Sequence, residues 1–517
     1  MHSATVPPRD DEGRGPCRDE ETTERRLLAS APPDKILAGK MQESVTKRLA
    51  TFSSQLQFSD LPDHVSQEVK RLLLDTVACG LGGLGLDKGR LALQLAREEG
   101  GRAEATIVGA SGKFPAALAA FVNGELMNAL DYCALQPPAH VTPYVIPPAL
   151  ALAEIKHVSG KELIAALAVA HEISCRIAQS LGNLRATPGG LPVRSFGVGC
   201  TQFGATAGAA RILNFDEERM SHAFGLAGYH APIAAHVKYN HTIHVGMAKY
   251  GPSGWTAQAG VVTARLAEMG YRGDDTVLDG DYGFWAMNGS QACDWEKLTH
   301  GLGEEWAFEA IGYKYWPCCG SHQAPLDAFV EIINANALSA GEITKVVVNN
   351  EALVGLPKYV STDICDHVEA ASSLPYNIAV AAHRVPWGPQ WQSRETLARR
   401  DIRDFMPLVQ HAIYPRSEEL RHKDLVIDGR RNLKHRPALV EVYARDTVYR
   451  HAVDFARWMT NDVPESRATD EDLASKLLAC AAGVLTDKQA RVAADRMLHL
   501  EDLTDCANLA ELLAGTH

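Results

Sequence analysis

The stretch Lys161–Gly182, KELIAALAVAHEISCRIAQSLG, constrains the fold more than any other part of the chain. Its apolar residues fall on almost every face of a helix, so that helix has to be enclosed by others. Neighbouring segments are of the same kind. In DHVSQEVKRLLLDTVACGLGG, Val65, Val69, Leu72, Leu73 and Val77 recur at helical spacing, and the glycines at 80–83 stop the helix. KFPAALAAFVNGELMNALDY reads as two Ala-rich helices divided near Asn123–Gly124, and QFGATAGAARILNF and AGVVTARLAEMGYRG continue the theme.

The texture changes near residue 311. ITKVVVNNE has the β-branched alternation of a strand, PALVEVYARDTVYRHAVDF reads as a β-hairpin turning at Arg445–Asp446, and ASSLPYNIAVAAHRV between them is helical. From DEDLASKLLACAAG onward the pattern is helical again. The predicted fold class is mainly α with an α+β lid. A discontinuous helical domain, 46–310 and 451–517, carries a smaller inserted α/β domain, 311–450. Residues 1–45 are rich in Pro, Arg, Asp and Glu and hold no aromatic residue. Such a segment cannot bury enough apolar area to offset its ordering entropy, and a disordered tail is expected there.

Net charge is −12, which argues against nucleic acid as a partner, because phosphate binding needs a basic surface. Any anionic substrate has to meet cations gathered locally against that field. No apolar run reaches the roughly 20 residues of a membrane span, and no secretory signal is present. The 11 cysteines are scattered apart from Cys318–Cys319, with no CxxC and no zinc spacing, so a reduced, cytoplasmic protein without a bound metal is expected. Dinucleotide, P-loop, zinc-protease and serine-hydrolase motifs are absent.

Four polar constellations remain. In NALDYCALQPPAHVTPYVIPPALALAE, Asp131 and His140 lie nine apart across a Pro-rich loop. They supply either a general base with an orienting carboxylate, or a loop cap and a surface histidine. HVKYNHTIHVGMAKYGPSGWTAQAG gathers His236, Lys238, His241, His244 and Lys249 before a Gly-rich turn. This is a carboxylate-binding loop, a solvated basic one, or a metal site, for which its HxxxxHxxH pattern lacks a clear carboxylate partner. GYKYWPCCGSHQAPLDAF offers Lys314 and His322, with Cys318 and Cys319 read as packing. Tyr376, apolar on both sides, is either a functional hydroxyl or a core tyrosine.

Taken in order, LLLDTVACGLGG, NGELMNALDY with its histidine-bearing loop, GMAKYGPSGWTAQAG, YKYWPCCGSH, ASSLPYNIAVA and the VEVYARDTVYRHAVDF hairpin resemble the MmgE/PrpD family over nearly all of 46–510. That family includes 2-methylcitrate dehydratase and cis-aconitate decarboxylase. The resemblance implies a helical domain with a smaller lid, a homodimer, and a site between the domains that uses no cofactor. Carried over by position, it assigns catalytic roles to His140, Asp131, Lys249 and Tyr376. Lys314 also falls on a family active-site position and His322 near one, and both are expected to contact substrate, as is His244 of the histidine-rich segment. Two departures stand out. Cys133, Ala134 and Leu135 follow Asp131 where the family carries further acids and Thr, and Gly197 stands where many members carry a histidine.

The expected activity is that of a lyase, dehydrating or decarboxylating a small carboxylate-bearing substrate. Lys249 and Lys314 would hold carboxylates and His140 would move the proton, titrating near its unperturbed value of about 6.5. An isomerase or epimerase working beside a carboxylate, or a metabolite-binding homologue without catalysis, are the alternatives.

Overall fold

The computed structural model describes residues 44–136, 140–184, 193–194, 198–233, 236–430, 433–460 and 462–515. The expected tail, 1–45, falls almost wholly outside the described residues, and so does Gly197. Helices make up most of the chain, with an α/β portion near the C-terminal third. Helix Gly160–Ser180 is buried along nearly its whole length, as its all-round apolar pattern requires. Its first turn is fixed by a capping box. The Ser159 hydroxyl accepts from the Glu162 amide, and the Glu162 carboxylate accepts from the Ser159 amide at 2.8 Å.

The expected division at Asn123–Gly124 is corrected by the structure, which has one helix, Ala116–Ala129. Asn123 is held by neighbouring backbone, accepting from the Val108 amide and donating to the Thr106 carbonyl. Gly124 permits a close crossing, since a Cβ there would lie 2.9 Å from the Ser253 carbonyl oxygen on helix Ser253–Glu268. Both residues serve packing between elements rather than termination.

Two large hydrophobic cores form. One gathers residues from Val45 to Tyr313 and from Trp458 to Leu513, together with Val368. The C-terminal helix Asp470–Ala481 packs back against Asp63–Gly83 within it. The other core takes residues from Trp316 to Ala444. It covers a four-stranded sheet ordered Val409–Ile413, Ile343–Asn350, Ala438–Ala444, Thr447–Val453. The first two strands are parallel and the other pairs antiparallel. The hairpin turns where it was expected, at Arg445 and Asp446, both with positive φ (51° and 55°), the conformation of a two-residue hairpin turn. Along Ala438–Ala444 buried and partly exposed residues alternate, so one face is covered, chiefly by helix Gln323–Ala335. The edge strand Val409–Ile413 had no counterpart in the sequence reading. Its five residues alternate weakly, and pairing with Ile343–Asn350 defines it. Among the described residues, no helix is long and apolar enough to cross a membrane.

Candidate active site

Three chain segments meet at the C-terminal end of helix Ala116–Ala129. Just past that end, Asp131 adopts the left-handed conformation (φ 53°), which Asp tolerates better than most residues, and the chain turns sharply. A short bridge follows: the Leu135 amide donates to the Gly312 carbonyl at 2.7 Å, and the Gly312 amide returns the bond at 2.9 Å. Gly312 is required by space, because a Cβ would sit 2.6 Å from the Met459 carbonyl oxygen. That bridge carries Lys314 to Asp131. Its Nζ donates to the Asp131 carbonyl at 2.6 Å and lies 3.1 Å from Oδ1. Lys249 arrives from the third segment, also with a left-handed backbone (φ 57°). Its Nζ lies 3.2 Å from the same Oδ1 and donates to the Asn128 carbonyl at 2.9 Å. That carbonyl is one of those a helix end leaves without an intrahelical partner.

One carboxylate is therefore shared by two ammonium groups, and none of the three side chains exceeds 7% exposure. His140 closes the group. Its ring stacks on Tyr250 with centroids 4.4 Å apart, and it is buried. The Tyr250 hydroxyl accepts from the Asn128 side chain, whose oxygen accepts from Lys88.

The environment separates the groups electrostatically. Burial opposes ionisation of Asp131, but Lys249 and Lys314 outweigh it and hold the carboxyl well below its usual range. Lys314 is pushed up: burial is the largest single influence and lowers it, but attraction to Asp131, Cys133 and Cys319 and the hydrogen bond to Asp131 together outweigh it. Lys249 is pushed down, because burial exceeds that attraction. Burial and then Lys314 drive His140 well below the ordinary histidine value. The expectation of a histidine titrating near 6.5 is thus corrected: in this site the imidazole is neutral at neutral pH.

The structure brings together Asp131, His140, Lys249 and Lys314. His322 is near them, in the short turn Gly320–His322. It is fully buried and depressed to about 3 by burial, with Asp131 and Lys314 among the charges it senses. Tyr376 is not brought there, which corrects its assignment. It lies in the lid core and its hydroxyl donates to the Trp391 carbonyl. The helix that carries it, Leu374–Ala382, is buried throughout, so the side chain serves packing. His244 is also not in the cluster. Half exposed, it sits on the lid surface, Nδ1 3.1 Å from Glu369 and 3.4 Å from the Cys365 sulfur. Its loop contributes Lys249 instead. Among the described residues, His244, Cys365 and Glu369 form one group able to hold a metal ion, apart from the lysines.

Sequence reasoning missed Asn128, Tyr239, Tyr250 and Lys358. Tyr250 follows Lys249 directly and could have been flagged as a ring beside a candidate histidine. The other three carry no local signal.

The fold and site together define a helical protein with an α/β lid and a buried, positively biased centre. The chain belongs to the MmgE/PrpD family: the MmgE/PrpD N-terminal domain matches residues 47–294 and the C-terminal domain residues 316–502. It is similar to a cis-aconitate decarboxylase-like protein, oryM, of Aspergillus oryzae, 28% identical over 56% of this chain and 61% of that protein. Cis-aconitate decarboxylase of Aspergillus terreus is 27% identical over 58% and 63%. The human cis-aconitate decarboxylase is 26% identical over 92% of this chain and 95% of its own length. The chain thus spans less than two thirds of the fungal relatives it matches.

Proposed function

We propose that this chain is a lyase that breaks a bond next to a carboxylate in a small polycarboxylate, with decarboxylation of a cis-aconitate-like acid as the leading reaction. One observation carries the reading: two buried lysines share a single buried carboxylate beside a neutral buried imidazole. The centre has cationic charge in excess, which an anionic substrate would neutralise. The family relationship and the named activity of the relatives support it.

The roles follow from the pKa directions. Lys314, pushed up, stays charged and holds a substrate carboxylate. Lys249, pushed down, gives up its proton more readily than an ordinary lysine. His140, held neutral, accepts a proton, and Asp131 holds both ammonium groups in place. In decarboxylation the bond to the leaving carboxylate breaks, CO2 departs and the electron pair stays on carbon. That carbon then takes a proton, from Lys249 or from a His140 charged in the presence of the anion. In dehydration His140 takes the proton from carbon and Lys249 protonates the departing hydroxyl. Both reactions use the same two groups, Lys249 as the acid and His140 as the base, each lowered from its ordinary value by burial.

The test is NMR of the purified chain with a panel of di- and tricarboxylates in D2O. CO2 loss from an unsaturated tricarboxylate is expected. Deuterium exchange without loss of CO2 or water would establish an isomerase instead, and no change in any acid would overturn the enzyme reading.

A further inference from the structure

Lys358 belongs to none of the motifs above. It sits in the short lid helix Pro357–Val360 and is 5% exposed. Its Nζ is buried and makes no hydrogen bond among the described residues. Instead it lies 3.4 Å from the centre of the Tyr239 ring and 4.4 Å from that of Tyr359. Ring faces attract an ammonium and offset part of its desolvation. They leave its three N–H donors unmet, and a buried charge without a hydrogen-bonded partner is costly.

The position makes that cost informative. Tyr239 stands edge-on to Tyr250 at 5.8 Å, and Tyr250 stacks on His140. A continuous aromatic wall therefore runs from Lys358 to the imidazole of the site. The Tyr239 hydroxyl is fixed by the Ser372 hydroxyl at 3.0 Å, so this wall is anchored to the lid. Lys358 also borders a cavity of about 10 Å³, no larger than a water molecule, with Ile243, Val245, Ser361, Asp363 and Glu369.

We propose that Lys358 is a substrate-binding residue: the lid supplies its ammonium to take a second carboxylate of the substrate, away from the one held by Lys314. The proposal rests on the reading of the site as a carboxylate site. It adds the group that holds the second carboxylate of a small polycarboxylate.

Its electrostatics agree. Burial brings the ammonium down to about 7, with Lys249 lowering it further and Cys319 and Asp131 raising it. Tyr239 and Tyr359 face it with their rings; the Asp363 and Glu369 carboxyls beside the small cavity disfavour an anion there, so the carboxylate is taken on the Tyr239 side, toward the site. Near pH 7 the group is thus partly neutral, and an arriving carboxylate would draw it to the charged form.

The experiment is calorimetric titration of tricarballylate, an unreactive tricarboxylate, into the full chain and into Lys358→Met, Lys358→Arg and Lys358→Gln, with melting temperatures for each. Losing one partner of a buried charge pair weakens Lys358→Met by at least ~30-fold, while Lys358→Arg, which keeps the charge, stays within about threefold. The melting temperature of Lys358→Met is not lowered, because no hydrogen bond is lost. Binding to the wild-type chain takes up about half a proton more near pH 7 than binding to Lys358→Met. Should Lys358→Met prove unstable, Lys358→Gln decides: a loss of that size supports the role, and wild-type affinity overturns it. If Lys358→Met binds as the wild type does, only the role of Lys358 falls. If the wild-type chain binds no tricarballylate, the carboxylate reading of the whole site falls with it.

Discussion

Lys476 and Lys249 are both buried lysines facing a buried aspartate, and they are satisfied in different ways. Lys476 lies 2.6 Å from Asp75, and both side chains are inaccessible. Its other donors meet the Tyr132 carbonyl at 2.8 Å and the Lys314 carbonyl at 3.3 Å, with the Tyr132 ring beneath it. The second Asp75 oxygen accepts from the Ala134 amide at 3.0 Å. One positive charge meets one negative charge, and the donors have acceptors. Around Asp131 two lysines meet one carboxylate, leaving an excess of one positive charge. A closed pair fixes a structure, whereas an unbalanced one is a place for an anion. The two are also joined: the Asp75–Lys476 pair grips the backbone of Tyr132, Ala134 and Lys314, the chain on either side of the site. Structural charge holds the loops that present functional charge.

The contrast breaks most clearly under substitution. His140→Ala is expected to lower kcat by roughly 10²–10⁴-fold on the true substrate, the loss typical of a general acid or base, with little change in melting temperature. Lys314→Met should act similarly on kcat/KM. Near wild-type turnover in His140→Ala would move the chemical centre to Lys249.

Lys476→Met should do the reverse. It strands the Asp75 carboxylate in the interior and costs about 3–5 kcal/mol of stability, read from denaturant unfolding. Lys249→Met should cost much less, because Asp131 keeps Lys314. Equal destabilisation by the two would erase the distinction drawn between the pairs.

Acid sharpens the comparison from another side. His171, His322 and His367 are held at about 4, about 3 and about 3, burial being the first cause in each. The unfolded chain binds their protons below about 6.5, and the folded chain does not. Stability is therefore lost as pH falls through that value, by ~2 kcal/mol per group at pH 5. His140 is depressed in the same direction. Asp131 acts lower down. Its depressed pKa contributes stability above the unfolded value of about 3.9, lost as pH falls below it. Melting temperatures at pH 7.5 and 5 should differ strongly, and a flat profile between them would show that these histidines are not buried neutral.

The smallest effect belongs to Tyr376. Removing its hydroxyl in Tyr376→Phe leaves the Trp391 carbonyl without that donor, costing about 1 kcal/mol. Turnover should stay close to wild type. A large fall in kcat without loss of stability would restore Tyr376 to the catalytic group.

Much of this was legible in the chain itself. The helix Gly160–Ser180, the hairpin turn at Arg445–Asp446 and the residues Asp131, His140, Lys249 and Lys314 all follow from local pattern or from motif order. The reading failed at Asn123–Gly124, where helix-breaking composition served a close helix crossing instead. It failed at Tyr376 and His244 because a residue's place in a motif does not fix where its side chain points.

Periodicity is a local property, so the sequence by itself determined the long helices and the hairpin turn, and the order of its motifs determined the family; the edge strand Val409–Ile413 exists only through its pairing. The balance of charge in the interior is not local. Lys476 reaches Asp75 across 401 residues, and Lys314 reaches Asp131 across 183. Whether a lysine is paired, shared or left without an acceptor, as at Lys358, depends on which distant segments the packing brings together. The pKa of His140 depends likewise on how completely water is excluded around it. Only the tertiary structure decided those matters, because desolvation and Coulomb attraction act through space rather than along the chain.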